Sequence, residues 1–264
     1  MSEHEAAADA ADPVTLAALG VLAYVAETLL HEAAGHGVMC MAAGGRIAAL
    51  APLYLSCSAA SAPMVAAGPA MNVLAGLASL IALRATATGA TAGAYFLWLS
   101  LIFNWLVACG YLLVGAATGF GDWAVLFSGV RPDWMWRVPA GIGALLLYVG
   151  VLRLASREFA ALTGLSDPDF AAKARLILVP TGAAAAVALA AEARQGAAMG
   201  LALALGCTFF VGLTLLGVGT GSGESKARNG ALRIRFNGAI VIAALAVAAV
   251  FVLVVGPGAD LSWL

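Results

Sequence analysis

Long runs without a single charged side chain constrain this chain more than any other feature. Pro52–Leu83, Ala85–Gly121, Val138–Leu152, Leu176–Ala191, Gln195–Gly223 and Phe236–Ala259 contain no Asp, Glu, Lys or Arg, and Val14–Ala43 contains no Lys or Arg. A helix needs roughly 20 apolar residues to cross a bilayer core, where its backbone can find partners only within itself. The runs therefore predict an all-α polytopic membrane protein. Overall 63% of residues are hydrophobic and 10% are charged, against roughly 25% charged in soluble domains. Spans are expected near residues 14–42, 62–84, 92–119, 138–158, 174–193, 196–219 and 237–257. The total is six to seven, because the Ala-rich fifth and sixth could instead form a re-entrant pair.

Residues 1–13 are acidic and contain no Lys or Arg, so they read as a short disordered tail rather than a signal or transit peptide. Residues 14–130 hold the unusual polar residues, and residues 131–264 form a blander C-terminal block of helices. Residues 44–55, too short and interrupted to cross, suggest a small interfacial β-hairpin. Residues 217–237, polar and Gly-rich, read as a flexible linker. The net charge of -1 and the lack of a basic stripe exclude a nucleic-acid partner. Cys40, Cys57, Cys109 and Cys207 show no paired spacing and are expected as unbonded small apolar residues in helices. Trp98, Trp105, Trp123, Trp134, Trp136 and Trp263 are expected near span ends, as interfacial anchors.

With seven spans, connections on the N-terminal side carry Arg84, Arg153, Arg157, Lys173, Arg175, Lys226, Arg228, Arg233 and Arg235, against Arg46, Arg131, Arg137 and Arg194 opposite. Nine cations against four predict a cytoplasmic N-terminus and an external C-terminus.

The first span contains Glu27-Thr28-Leu29-Leu30-His31-Glu32-Ala33-Ala34-Gly35-His36. A charge at mid-membrane costs about 2.5–3.5 kcal/mol on the translocon scale, so ionisable residues there mark function by default. Zinc hydrolases present two His and a general base as His-Glu-x-x-His on one helix. Here the two His are one residue further apart, and five α-helical steps rotate about 140°, which separates the rings. A π-bulge, for which Gly35 is the natural place, would bring them back to one face. The alternative is two self-satisfied pairs at i,i+4, Glu27 with His31 and Glu32 with His36.

After Pro52 the next acid is Asp122. Spans one and three run the same way, so His36 and Asp122 lie at the same membrane face and can meet. Asp122 is thus a candidate third ligand, or alternatively the N-cap of a short helix beginning at Trp123. The second span opens with Gly68-Pro69-Ala70-Met71-Asn72. Asn72 inside the membrane either makes an interhelical hydrogen bond or donates to a substrate carbonyl. Asn104, mid-span in the third helix, is expected to be structural.

These residues resemble the site-2 protease family of intramembrane zinc metalloproteases. That family carries His-Glu-x-x-His in one span, Gly-Pro-x-x-Asn at the start of a later one, and an Asp near the end of a third. The resemblance covers about residues 14 to 130. Departures are the inserted residue in the first motif and Gly121-Asp122-Trp123 in place of Leu-Asp-Gly. The resemblance implies a three-helix metalloprotease core, Zn2+ held by His31, His36 and Asp122, Glu32 as base, and Asn72 as a substrate contact. The expected function is hydrolysis of peptide bonds in membrane-embedded or membrane-proximal proteins, in the plasma membrane of a bacterium. Family members usually place the metal towards the cytosol, whereas the charge count places it nearer the opposite face. The competing reading is a non-catalytic scaffold that binds a client without cutting it. A small-solute transporter is disfavoured, because the buried charges cluster near one face.

Overall fold

The computed structural model describes residues 11–85, 91–165, 170–196, 198–218 and 232–261. Residues 1–10 of the expected tail and residues 219–231 of the expected linker lie outside these. Among the described residues, seven helices are long and apolar enough to span a membrane. They are α1 (Pro13–Ala42), α2 (Ala62–Ala85), α3 (Ala92–Thr118), α5 (Trp134–Thr163), α6 (Phe170–Glu192), the pair α7 (Ala198–Cys207) and α8 (Phe209–Gly217), and α9 (Gly238–Val255). A short helix, α4 (Asp122–Leu126), follows α3. Strands β1 (Ile47–Ala51) and β2 (Tyr54–Cys57) lie between α1 and α2, and β3 (Ala259–Asp260) follows α9.

Helix α1 begins where its sequence dictates. Asp12 Oδ2 accepts from the Thr15 amide at 2.7 Å and from its hydroxyl at 2.8 Å, with Pro13 at the first helical position. Both are favoured there, because the first-turn N–H groups have no helical partner. Asp12 is therefore a helix cap and not part of a tail. Helix α6 is continuous, so the fifth and sixth spans do not form a re-entrant pair. The sixth instead breaks at Thr208 (φ -124, ψ -78) into α7 and α8.

Helix α1 occupies the centre and packs against α3, α6 and α9, while its C-terminal half lies along α2. The packed interior holds Tyr95, Trp98, Phe103 and Phe159, and apolar side chains such as Ile81, Leu146, Ile242 and Leu245 face outward. Trp98, expected at an interface, is wholly buried and donates from Nε1 to Ala155 O at 3.0 Å. Lipid lies equally well on any apolar ring, so the indole is held inside by that hydrogen bond and by its contacts with Tyr95 and Phe159. Asn104 has the structural role expected of it: its Nδ2 donates to Ser100 O at 2.8 Å, one turn back.

The hairpin after α1 is present, with Ala51 paired to Tyr54 across the turn Pro52-Leu53. The sheet order is β2-β1-β3, with β3 antiparallel on the second edge of β1. Cys40 and Cys57 are joined by a disulfide, correcting the expectation that all four cysteines are unbonded; Cys109 and Cys207 are free. Sequence spacing could not reveal the bond, because it depends on β2 folding back onto the last turn of α1. Trp98→Ala would delete the largest buried ring and its hydrogen bond. We expect a loss of about 3–5 kcal/mol, read by chemical denaturation in detergent.

Candidate metal centre

The five-residue spacing of the histidines is absorbed by a π-helical segment, Leu30–Gly37, within α1. In that register residues i and i+5 share a face. The His31 and His36 rings consequently meet edge to face with centroids 4.8 Å apart, and their Nε2 atoms stand 3.2 Å apart. Asp122 lies in the first turn of α4, whose cap is Gly121 with no side-chain capping bond. Its Oδ2 stands 3.1 Å from His31 Nε2 and 3.4 Å from His36 Nε2. Asp122 thus joins the histidines across 91 residues and does not act as an N-cap.

Ligands held about 2.0–2.1 Å from a tetrahedral metal stand about 3.3–3.4 Å from one another. The three separations, 3.1, 3.2 and 3.4 Å, are close to that edge length. The donor set of two imidazoles and a carboxylate suits a first-row divalent ion such as zinc. Burial pushes the Asp122 carboxyl up, but hydrogen bonds with His31 and His36 outweigh it and hold the group at about 2. It is therefore ionised at neutral pH, as a ligand must be.

Helix α2 supplies the next layer. His36 Nδ1 lies 2.8 Å from Met64 O. A carbonyl only accepts, so Nδ1 carries a proton, and Nε2 is the ring nitrogen directed at His31 and Asp122. This proximity requires small residues. A Cβ on Gly68 would stand 2.6 Å from His36 Cε1 and 2.7 Å from His31 Nε2, and one on Gly35 would stand 2.7 Å from Gly68 Cα. Pro69 lies inside α2 and not at its start, because the helix begins at Ala62.

Neither His–carboxylate pair of the alternative reading forms. Glu27 Oε1 accepts from Asn72 Nδ2 at 2.8 Å, and its Oε2 accepts from Thr28 Oγ1 at 3.3 Å. Asn72 is fully buried, and its amide anchors Glu27. Glu32 is buried too, and its Oε2 has no hydrogen-bond partner among the described residues. A small cavity of ≈ 40 Å³ opens beside it, walled by His31, Glu27, Tyr111 and the hairpin tip Pro52-Leu53. That volume admits roughly one to three waters. A larger apolar cavity of ≈ 320 Å³ adjoins it across Val107, Tyr111 and Cys207.

Of the residues expected at the site, His31, Glu32, His36 and Asp122 come together, while Asn72 reaches it only through Glu27. The contributions of Met64 O, Gly68, Tyr111 and the hairpin tip were not foreseen. For Tyr111 a signal existed, since it is a polar group on α3 approaching Asp122.

No protein-family model, curated protein or solved structure matches this chain. The functional reading therefore rests on the residues and their geometry.

Outer-shell partners of metal ligands are worth about 10–100-fold in affinity, and the ligands themselves more. Asp122→Asn should lower metal affinity by more than about 100-fold, and Gly68→Ala by about 10–100-fold, in competition titrations with a chelator.

Proposed function

We propose that the chain is an intramembrane zinc metalloprotease, a divergent relative of the site-2 proteases. The observation that carries this reading is the convergence of His31 Nε2, His36 Nε2 and Asp122 Oδ2 beside the buried Glu32 Oε2, which has no hydrogen-bond partner among the described residues. Those three atoms would hold the zinc ion. When bound, zinc supplies Lewis acidity that polarises a peptide carbonyl and acidifies water near neutral pH.

The protein's own groups would do the rest. The Met64 carbonyl keeps the His36 proton on Nδ1 and so fixes the ring. Glu32 Oε2 takes the proton of the attacking water in the adjoining cavity and returns it to the amine nitrogen as the C–N bond breaks. Its burial excludes bulk water, and Asn72 and Thr28 keep Glu27 from turning into a competing partner. Tyr111 offers a phenolic donor on the cavity wall. The ≈ 320 Å³ cavity gives room for a large apolar side chain flanking the scissile bond.

The location supports a membrane-embedded or membrane-proximal substrate. His36 precedes the end of α1 at Ala42 by six residues, or about 9 Å of helix. A helical substrate would first have to unwind, because its backbone bonds are internally satisfied. Glu32→Gln should retain stoichiometric zinc while lowering cleavage of co-expressed single-span proteins by at least about 100-fold. Undiminished cleavage would remove Glu32 from the role. Absence of zinc from the wild-type protein would remove the enzyme reading.

A further inference from the structure

We infer that the metal-bearing end of the bundle faces an oxidising, extracytoplasmic compartment, that the Cys40–Cys57 disulfide ties the hairpin down over the site, and that the site takes exported segments of membrane proteins as substrates. The last clause rests on the protease reading; the first two do not.

Three independent features carry the inference. The first is the disulfide itself. Cys40 lies one turn beyond His36 on α1, and Cys57 ends β2, so the bond sits at the metal-bearing end. Structural disulfides persist in oxidising compartments and are rare where thiols are kept reduced. The surroundings are shaped to the bond, since a Cβ on Gly45 would stand 2.9 Å from Cys40 Sγ and 2.8 Å from Cys57 Sγ. Its formation joins the two sulfurs and passes two electrons and two protons to a second protein disulfide, which leaves as a dithiol.

The second feature is charge. The described cations towards the opposite end are Arg84, Arg153, Arg157, Lys173, Arg175, Arg233 and Arg235, against Arg46, Arg131, Arg137 and Arg194 at the metal end. Seven against four retains the cytoplasmic signature at the end away from the metal. Contacts agree with this division. Arg175 Nη2 donates to Ala11 O, and Asn237 N to Thr15 Oγ1, beside the start of α1, whereas β3 pairs with β1 at the metal end.

The third is the position of the hairpin. Its tip, Pro52-Leu53, walls the cavity beside His31 and Glu32. The disulfide closes a loop of sequence separation 17 whose turn is that wall. Loss of a cross-link of this size frees the hairpin to leave the site. A substrate entering beneath the hairpin tip would come from the same compartment as the disulfide.

The test uses the full chain in intact bacterial cells. Arg131→Cys should react with a membrane-impermeant maleimide before permeabilisation, and Arg235→Cys only after it. Both residues are exposed, at opposite ends. On the wild-type chain, denatured without reductant, Cys40 and Cys57 should resist a mass-tagged maleimide and accept two tags once reduced. In detergent, trypsin should cut after the exposed Arg46 at least about tenfold faster in the reduced protein than in the oxidised one. Labelling of Arg131→Cys only after permeabilisation, or tagging of both thiols without reductant, would overturn the orientation. Equal trypsin rates would overturn the tie. None of these readouts depends on zinc or cleavage. If they come out as expected while the Glu32→Gln experiment fails, the protease reading and the substrate clause fall and the orientation stands.

Discussion

Five residues separate two imidazoles that must point the same way, and α1 meets that demand by widening one stretch of its spiral into π geometry. The remaining contacts of the site depend on this change. In an α register His31 and His36 would diverge by about 140°, and no single carboxylate could reach both. The π segment turns both rings towards α2 and α4 together. It also sets the fit with α2, where Gly35 and Gly68 bring two backbones into contact and Met64 O comes within 2.8 Å of His36 Nδ1. The Gly-Pro element of the second span is therefore explained by crowding: a methyl group at residue 68 would occupy the space of the two rings.

Buried charge is the second organising constraint. Glu27, Glu32 and His36 all lie buried on the central helix of an apolar bundle, where each ionised group is costly unless matched. Glu27 is matched structurally, by the amide of Asn72 and the hydroxyl of Thr28. His36 is matched by Asp122 and by the Met64 carbonyl. Glu32 is left with one oxygen unsatisfied among the described residues, beside a cavity of water size. The two carboxylates are five residues apart on one helix, yet one has both oxygens hydrogen-bonded and the other keeps one oxygen without a hydrogen-bond partner among the described residues.

The cover over this site is made from both ends of the described chain. β1 and β2 follow directly from α1, and β3 returns after α9 to pair with the other edge of β1. An odd number of spans brings the two together, because only then do the end of α1 and the end of α9 share a face. The disulfide fixes the hairpin to the same turn of helix that follows His36, so the cavity wall and the histidine pair are held by one local framework.

Composition and charge-free runs were enough to predict seven apolar helices, and eight of the fourteen predicted span ends agree within one residue, because the energetics of lipid exposure are read directly from side-chain type. The convergence of His31, His36 and Asp122 was also readable. His and Asp side chains are scarce in such a chain, and parallel first and third spans necessarily bring His36 and Asp122 to one face. What local sequence could not contain was everything set by distant surfaces meeting. The Cys40–Cys57 bond depends on how β2 folds back, and β3 on where the last helix ends. Trp98 moved from the expected interface to the interior because its N–H found Ala155 O on another helix. Asn72 was recognisable as a buried amide needing a partner, but which partner it had, a substrate or Glu27, depended on the distance between two helices that only their packing could set.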